Sequence, residues 1–253
     1  MLTCRHAGVC GGCSLLHLSY ADQIARKSTR LSELLGDLLP SRTIAEPPSL
    51  FLPVDHTDSG PAHFRHKVSF VFDTNPRRGA LLMGHHERGT KRIVSVSECP
   101  VHSARGNRVA FALRDHLSAA RIDAAGPSLD GILRYVIVRT TADEREAGAM
   151  LVVTRNDKSL RAPLRAFLAS SERPEGLFVN INDDPGPLMV RDRTIKIDGR
   201  AQVREDVGGV SYLISPTAFF QTNPAAAAGL QRAVVDSMRG CASVLDLYCG
   251  SGL

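Results

Sequence analysis

The sequence predicts an α+β protein built on a mostly antiparallel sheet, with a cysteine loop at its start and the first strand of a Rossmann-like α/β unit near its end. Three observations carry this. Runs rich in β-branched residues recur between residues 64 and 197 with only two helical stretches among them. Cys4, Cys10 and Cys13 stand in a Cys-x5-Cys-x2-Cys spacing that no hydrophobic core requires. A short apolar run, Val244-Leu245-Asp246-Leu247, leads into the glycine-rich Tyr248-Cys249-Gly250-Ser251-Gly252, the pattern that opens a dinucleotide or adenosylmethionine fold.

Composition bounds the function. The chain has 253 residues, 43% hydrophobic, a net charge of +5 and a pI of about 9.0. That balance suits a polyanionic partner. No apolar run is long enough for a membrane helix and no targeting segment is recognisable, so a cytoplasmic, membrane-free protein is expected. Tryptophan is absent and aromatics make up only 5%, so broad base-stacking platforms are not expected.

In chain order, Cys-Gly-Gly-Cys (Cys10 to Cys13) is a turn in which glycine relieves side-chain crowding and permits positive backbone angles, letting two thiolates converge. Three ligands leave a metal site one short, and Cys99, in Glu98-Cys99-Pro100, is the remote fourth candidate. The spacing suits an iron–sulfur cluster or zinc alike. Disulfides fit less well, because six cysteines in a chain of this length with no export signal do not make a disulfide scaffold. Residues 15–39 read as an amphipathic helix through Leu16, Tyr20, Ile24, Leu31, Leu34, Leu35 and Leu38, ended by Pro40; residues 40–63 read as loop.

Val68, Phe70 and Phe72 alternate as strand residues do, and Arg65 and Lys67, two apart, project from one side as a pair of cations suited to phosphate. Two short strands follow, 79–84 and 92–97. The turn between them, His85 to Arg92, is read as a basic loop with Arg88 and Lys91 towards a nucleic-acid backbone; adjacent His85 and His86 face opposite ways and make poor co-ligands. A helix over 103–121 carries Val109, Ala110, Leu113 and Leu117 on one stripe. Strands are expected over 132–139, 149–154, 176–181 and 193–197, with a helix over 159–170. Asn223-Pro224 caps and opens a helix running to about Arg239, and the Phe219-Phe220-Gln221 stretch just before it is either a core plug or a site.

Taken together, Cys-x5-Cys-Gly-Gly-Cys-x3-His, the Glu-Cys-Pro at Cys99, Phe219-x-Gln221-x-Asn223 and Asp246-x-x-x-Gly250-x-Gly252 resemble the RNA uracil-5-methyltransferase family, over essentially the whole chain. The resemblance implies a [4Fe–4S] cluster on Cys4, Cys10, Cys13 and Cys99. It implies that Phe64-Arg65-His66-Lys67 borders the RNA cleft, and that Phe219 lines the pocket for the target base. S-adenosylmethionine would be met by Gln221, by Tyr248 and by the loop of Asp246 and Gly250.

The implied partner is RNA, with 23S ribosomal RNA preferred over tRNA because the cluster marks the ribosomal branch. A monomer is expected. The implied organisation is a cluster-bearing RNA-recognition domain over 1–18 and 60–214, a linker helix and loop over 19–59, and the start of the methyltransferase domain over 215–253.

The sequence departs from the family in stopping inside the first cofactor motif. The family's catalytic cysteine, which adds to uracil C6 before methyl transfer to C5, and its proton-abstracting base are not among these residues. The chain alone is therefore expected to be inactive, and Cys249 is not taken as the nucleophile. A non-catalytic RNA-binding iron–sulfur or zinc module is the alternative, and a small electron carrier a further one.

Overall fold

The computed structural model describes residues 3–35, 62–75, 79–250 and 252. It is an α+β fold organised by one seven-stranded sheet. The strands are β1 (Lys67–Thr74), β2 (Leu81–His86), β3 (Ile93–Ser95), β4 (Leu133–Thr140), β5 (Ala147–Val153), β6 (Gly176–Ile181) and β7 (Thr194–Gly199), in spatial order β3-β2-β1-β4-β5-β6-β7. Every neighbouring pair is antiparallel except β5–β6. That parallel pair needs a crossover, which a 3-10 turn (Lys158–Leu160) and the helix Arg161–Leu168 supply.

The expected alternation in β1 is present: Val68, Phe70 and Phe72 are buried, with intermediate residues between them. Strand β4 is buried at seven of its eight positions, as a central strand covered on both faces must be. On one face lie two helices, α2 (Ala104–Ala119) and α3 (Arg161–Leu168), which pack on each other. Val109, Ala110, Leu113 and Leu117 are fully buried there, the stripe the sequence predicts. Ser103 caps α2 by accepting from the Gly106 N–H at 3.1 Å. On the other face a smaller cluster forms from Ile137, Met150, Val152 and Phe178.

Helix α1 spans Tyr20–Leu35, shorter than the expected 15–39 at its start; residues 36–39 and most of the expected 40–63 loop lie outside the described residues. None of its residues is buried, and Leu31 and Leu34 are exposed.

A hairpin that the sequence reading passed over, β8 (Val203–Val207) with β9 (Val210–Ile214), turns at Gly208-Gly209, both at positive φ. Val203, Val207 and Ile214 bury against Phe220 and Ala227 at the start of α4 (Pro224–Ser237). Asn223 accepts from the Ala226 N–H at 3.1 Å, so the expected cap is in place.

The strand expected over 243–247 is not formed. These residues belong to no strand, Leu247 lies in a turn, and Leu245 is 81% exposed. A strand is stabilised by a neighbouring ladder and a packed face, and no described strand lies alongside to provide either.

Candidate metal centre and nucleic-acid face

The amino-terminal loop docks on the β2–β3 hairpin. Gly11 N–H donates to the His86 carbonyl at 2.8 Å, Arg88 N–H to the Val9 carbonyl at 2.9 Å, and Cys10 bridges Glu87. Gly11 and Gly12 are not at positive φ; Gly8 is, at 85°. The expected reason for the Gly-Gly pair therefore changes. A Cβ on Gly11 would sit 3.0 Å from the His86 carbonyl oxygen, so glycine is there for close approach rather than for a left-handed turn.

This docking gathers Cys4, Cys10, Cys13 and Cys99 around one cavity of about 190 Å³, and all four are free thiols. Cys99 is held by Asn107, whose side chain accepts from the Cys99 N–H at 3.1 Å and donates to its carbonyl at 2.9 Å. Burial pushes the Cys99 thiol up to about 11, and the thiols of Cys13 and Cys10 add to it. Burial raises Cys13 as well, followed by Cys10 and Cys4, while Arg65 and Arg88 oppose the shift. Four thiols that feel one another's charge suit a cationic inorganic group, whose positive charge would offset the cost of ionising them.

The cavity is more than ten times the roughly 10–15 Å³ that a single water needs. The donor set therefore fits a thiolate-bound metal group, and the cavity has room for a multi-atom cluster.

Two histidines that spacing arguments did not bring to this site line the same cavity. His85 and His102 stack edge to face with ring centroids 5.3 Å apart, and both pack on Phe70. His86 is exposed, so the two adjacent histidines do face opposite ways. Burial lowers His85 to about 4 and His102 to about 3, with Arg65 contributing to both. The signal for His102 was in the sequence: Cys99-Pro100-Val101-His102 has the two-residue spacing of a metal hook.

A row of cations runs from this cavity. Arg65 is exposed at the cavity rim and Lys67 is partly buried in β1, directly across from Arg139 in β4. Burial lowers the Lys67 ammonium, and Arg139 and Arg65 lower it further. Burial also lowers Arg139, to about 10, against the pull of Glu205. Arg139 is the member of this row that sequence reasoning missed, because it reads as one position in a β-branched strand.

The row also holds the Phe219–Gln221 segment. Arg139 donates to the Ala218 carbonyl at 3.3 Å and lies 5.9 Å from the Phe220 ring centre, and the His66 N–H donates to the Thr222 carbonyl at 2.7 Å. Phe220 is 3% exposed and Phe219 80%, so the pair divides into one core residue and one free ring. Gln221 is half-buried.

Of the other expected residues, Arg88 is exposed yet donates from its guanidinium to the Cys13 carbonyl at 2.8 Å, and Lys91 is exposed on the same turn. Asp246, Tyr248 and Gly250 are exposed and do not by themselves enclose a cofactor.

No family profile matches the chain. Individual proteins do. It is 29% identical over 99% of its length to an uncharacterized RNA methyltransferase of Geobacter sulfurreducens, covering 50% of that protein. It is 30% identical over 98% of its length to the tRNA (uracil(54)-C(5))-methyltransferase of Pyrococcus horikoshii, covering 55% of it. The chain thus spans about half the length of the curated relatives it matches. The crystal structure of Pyrococcus abyssi tRNA (uracil-54, C5)-methyltransferase in complex with S-adenosyl-L-homocysteine has the same fold, with a TM-score of 0.71 at 24% identity over 98% of this chain and 55% of that one. On these matches, and on motifs distributed from Cys4 to Gly252, the chain is similar over nearly its whole length to RNA uracil-5-methyltransferases.

Proposed function

We propose that this protein serves S-adenosylmethionine-dependent methylation of uracil C5 in RNA, with 23S ribosomal RNA as substrate. The observation that supports the reading is the anchoring of Ala218–Thr222 on Arg139 and His66, a segment from which the Phe219 ring stands exposed. Cations there neutralise phosphates and fix register, while a free ring offers a face for an unstacked base. Arg65, Lys67, Arg88 and Lys91 are the proposed RNA contacts and Phe219 the base contact. The division into a recognition domain over 1–18 and 60–214, a 19–59 linker and a methyltransferase portion from 215 belongs to the same proposal, as do a cytoplasmic location and a monomeric state. Among the described residues no helix is long and apolar enough to cross a membrane.

Cys4, Cys10, Cys13 and Cys99 would hold a [4Fe–4S] cluster, which ties the amino-terminal loop to the sheet next to Arg65. S-adenosylmethionine, when bound, supplies an electrophilic methyl group. Gln221, Asp246, Tyr248 and Gly250 are proposed as its contacts on their motifs alone.

Deleting the gene and quantifying 5-methyluridine in purified 23S ribosomal RNA and tRNA tests the function. Loss from 23S ribosomal RNA is expected, and unchanged levels in both RNAs would overturn the reading. Loss from tRNA alone would favour the second reading, a tRNA enzyme, which the names of the Pyrococcus relatives support.

A further inference from the structure

His85, Cys99 and His102 place one ligand atom each within 4.8 Å of one another, on the wall of the thiol cavity. They come from two rigid elements. His85 sits in β2, and Cys99 and His102 sit three apart in a turn closed by the His102 N–H donating to the Cys99 carbonyl at 3.1 Å. Asn107 holds both backbone atoms of Cys99, and Phe70 backs both rings.

An independent observation points to a ligand. His102 is 4% exposed, yet its Nδ1 is buried with no hydrogen-bond partner among the described residues. A buried ring nitrogen left unpaired carries an uncompensated desolvation cost, which coordination to a metal would remove.

We propose that His85, Cys99 and His102 form a mononuclear site for a zinc-like divalent ion, distinct in ligand set from the four-cysteine site. Two imidazoles and one thiolate are a borderline-soft donor set suited to zinc, and three protein ligands leave a fourth tetrahedral position open. Bonds of about 2.0–2.3 Å require the three side chains to draw together by on the order of an ångström, within rotamer adjustment. Because Cys99 is common to both sites, the single ion and the cluster exclude each other. Only that exclusion rests on the cluster reading; the three-residue site stands without it.

The test uses the purified chain, stripped of metal by chelation and titrated anaerobically with Co²⁺ as a visible probe and then with Zn²⁺. A variant carrying Cys4→Ala, Cys10→Ala and Cys13→Ala is expected to bind one equivalent, with a thiolate-to-cobalt charge-transfer band. His85→Ala and His102→Ala in that background are expected to weaken zinc binding by at least about 100-fold, more than loss of an outer-shell partner costs. Since His102 is buried, His102→Gln with an unchanged circular-dichroism spectrum keeps the comparison fair. Binding that vanishes with the three amino-terminal cysteines, or that ignores both histidine substitutions, would overturn the proposal. Failure here leaves the RNA methylation assay untouched, so the two readings fail separately.

Discussion

Arg88 reaches back across the β2–β3 turn and donates to the Cys13 carbonyl at 2.8 Å. A residue expected from sequence to face RNA is thereby also a clamp on the cysteine loop. Arg88→Ala should shorten the lifetime of a reconstituted cluster under air several-fold, read from its visible absorbance, whereas Lys91→Ala should not. Equal lifetimes in the two variants would mean that the clamp is idle.

Lys67 lies across from the buried Arg139 in the sheet, and Arg65 is the exposed cation next to it. Replacing Arg65 by Ala should weaken binding to a 23S ribosomal RNA fragment and lower the slope of log K against log salt by about one. A slope that stays at the wild-type value would remove Arg65 from the RNA face.

Phe219 and Phe220 are neighbours with opposite surroundings. Phe220→Ala should destabilise the fold by about 3–5 kcal/mol in urea unfolding, because it empties the small core under the β8–β9 hairpin. Phe219→Ala should shift stability by no more than about 0.5 kcal/mol and act on RNA binding instead. A large stability loss in Phe219→Ala would assign that ring to packing.

Burial lowers His66, whose Nδ1 lies 3.0 Å from the Thr141 carbonyl, and it lowers His85 and His102 to about 4 and about 3. Between those values and the unfolded value of about 6.5 the unfolded chain binds more protons, so stability rises with pH. The metal-free protein should keep this contribution above pH ~6.5 and lose it progressively on acidification. The urea midpoint should fall from pH 7 to pH 5, and less steeply in His66→Gln. A midpoint that climbs on acidification would contradict the assignment.

Asn107 is buried and satisfies both backbone atoms of Cys99. Asn107→Ala should cost about 1–3 kcal/mol of stability, from the unpaired groups it leaves. Reduced iron content per folded chain, measured by elemental analysis, is expected alongside.

The sheet was legible wherever one residue decided one face. Val68, Phe70 and Phe72 declare their period, and so do Leu113 and Leu117 in the helix above them. The parallel pairing of β5 with β6 was not legible, because runs buried on both faces carry no period that gives direction. The β8–β9 hairpin was not read although Val-x-x-x-Val-Gly-Gly-Val announces it, since its strands are five residues each and β9 is buried only at Ile214. Val244–Leu247 read as a strand from composition alone, and composition cannot supply a neighbour. Cys4, Cys10 and Cys13 were legible by spacing, and the Cys99-x2-His102 hook was there to be read, whereas Arg139 reaches the site only through strand pairing, which no local pattern encodes.

Cys99 is separated from the other three thiols by the entire β1–β2–β3 meander, and it meets them only because the β2–β3 hairpin is already there to receive the amino-terminal loop. That arrangement sets an order of manufacture. A nascent chain offers three thiols at its amino-terminal end, and the fourth joins them only once the β2–β3 hairpin and the Cys99 turn have formed. A metal group held by all four, as proposed, would therefore be loaded after that hairpin, and a loaded chain would certify that the hairpin beneath it was built.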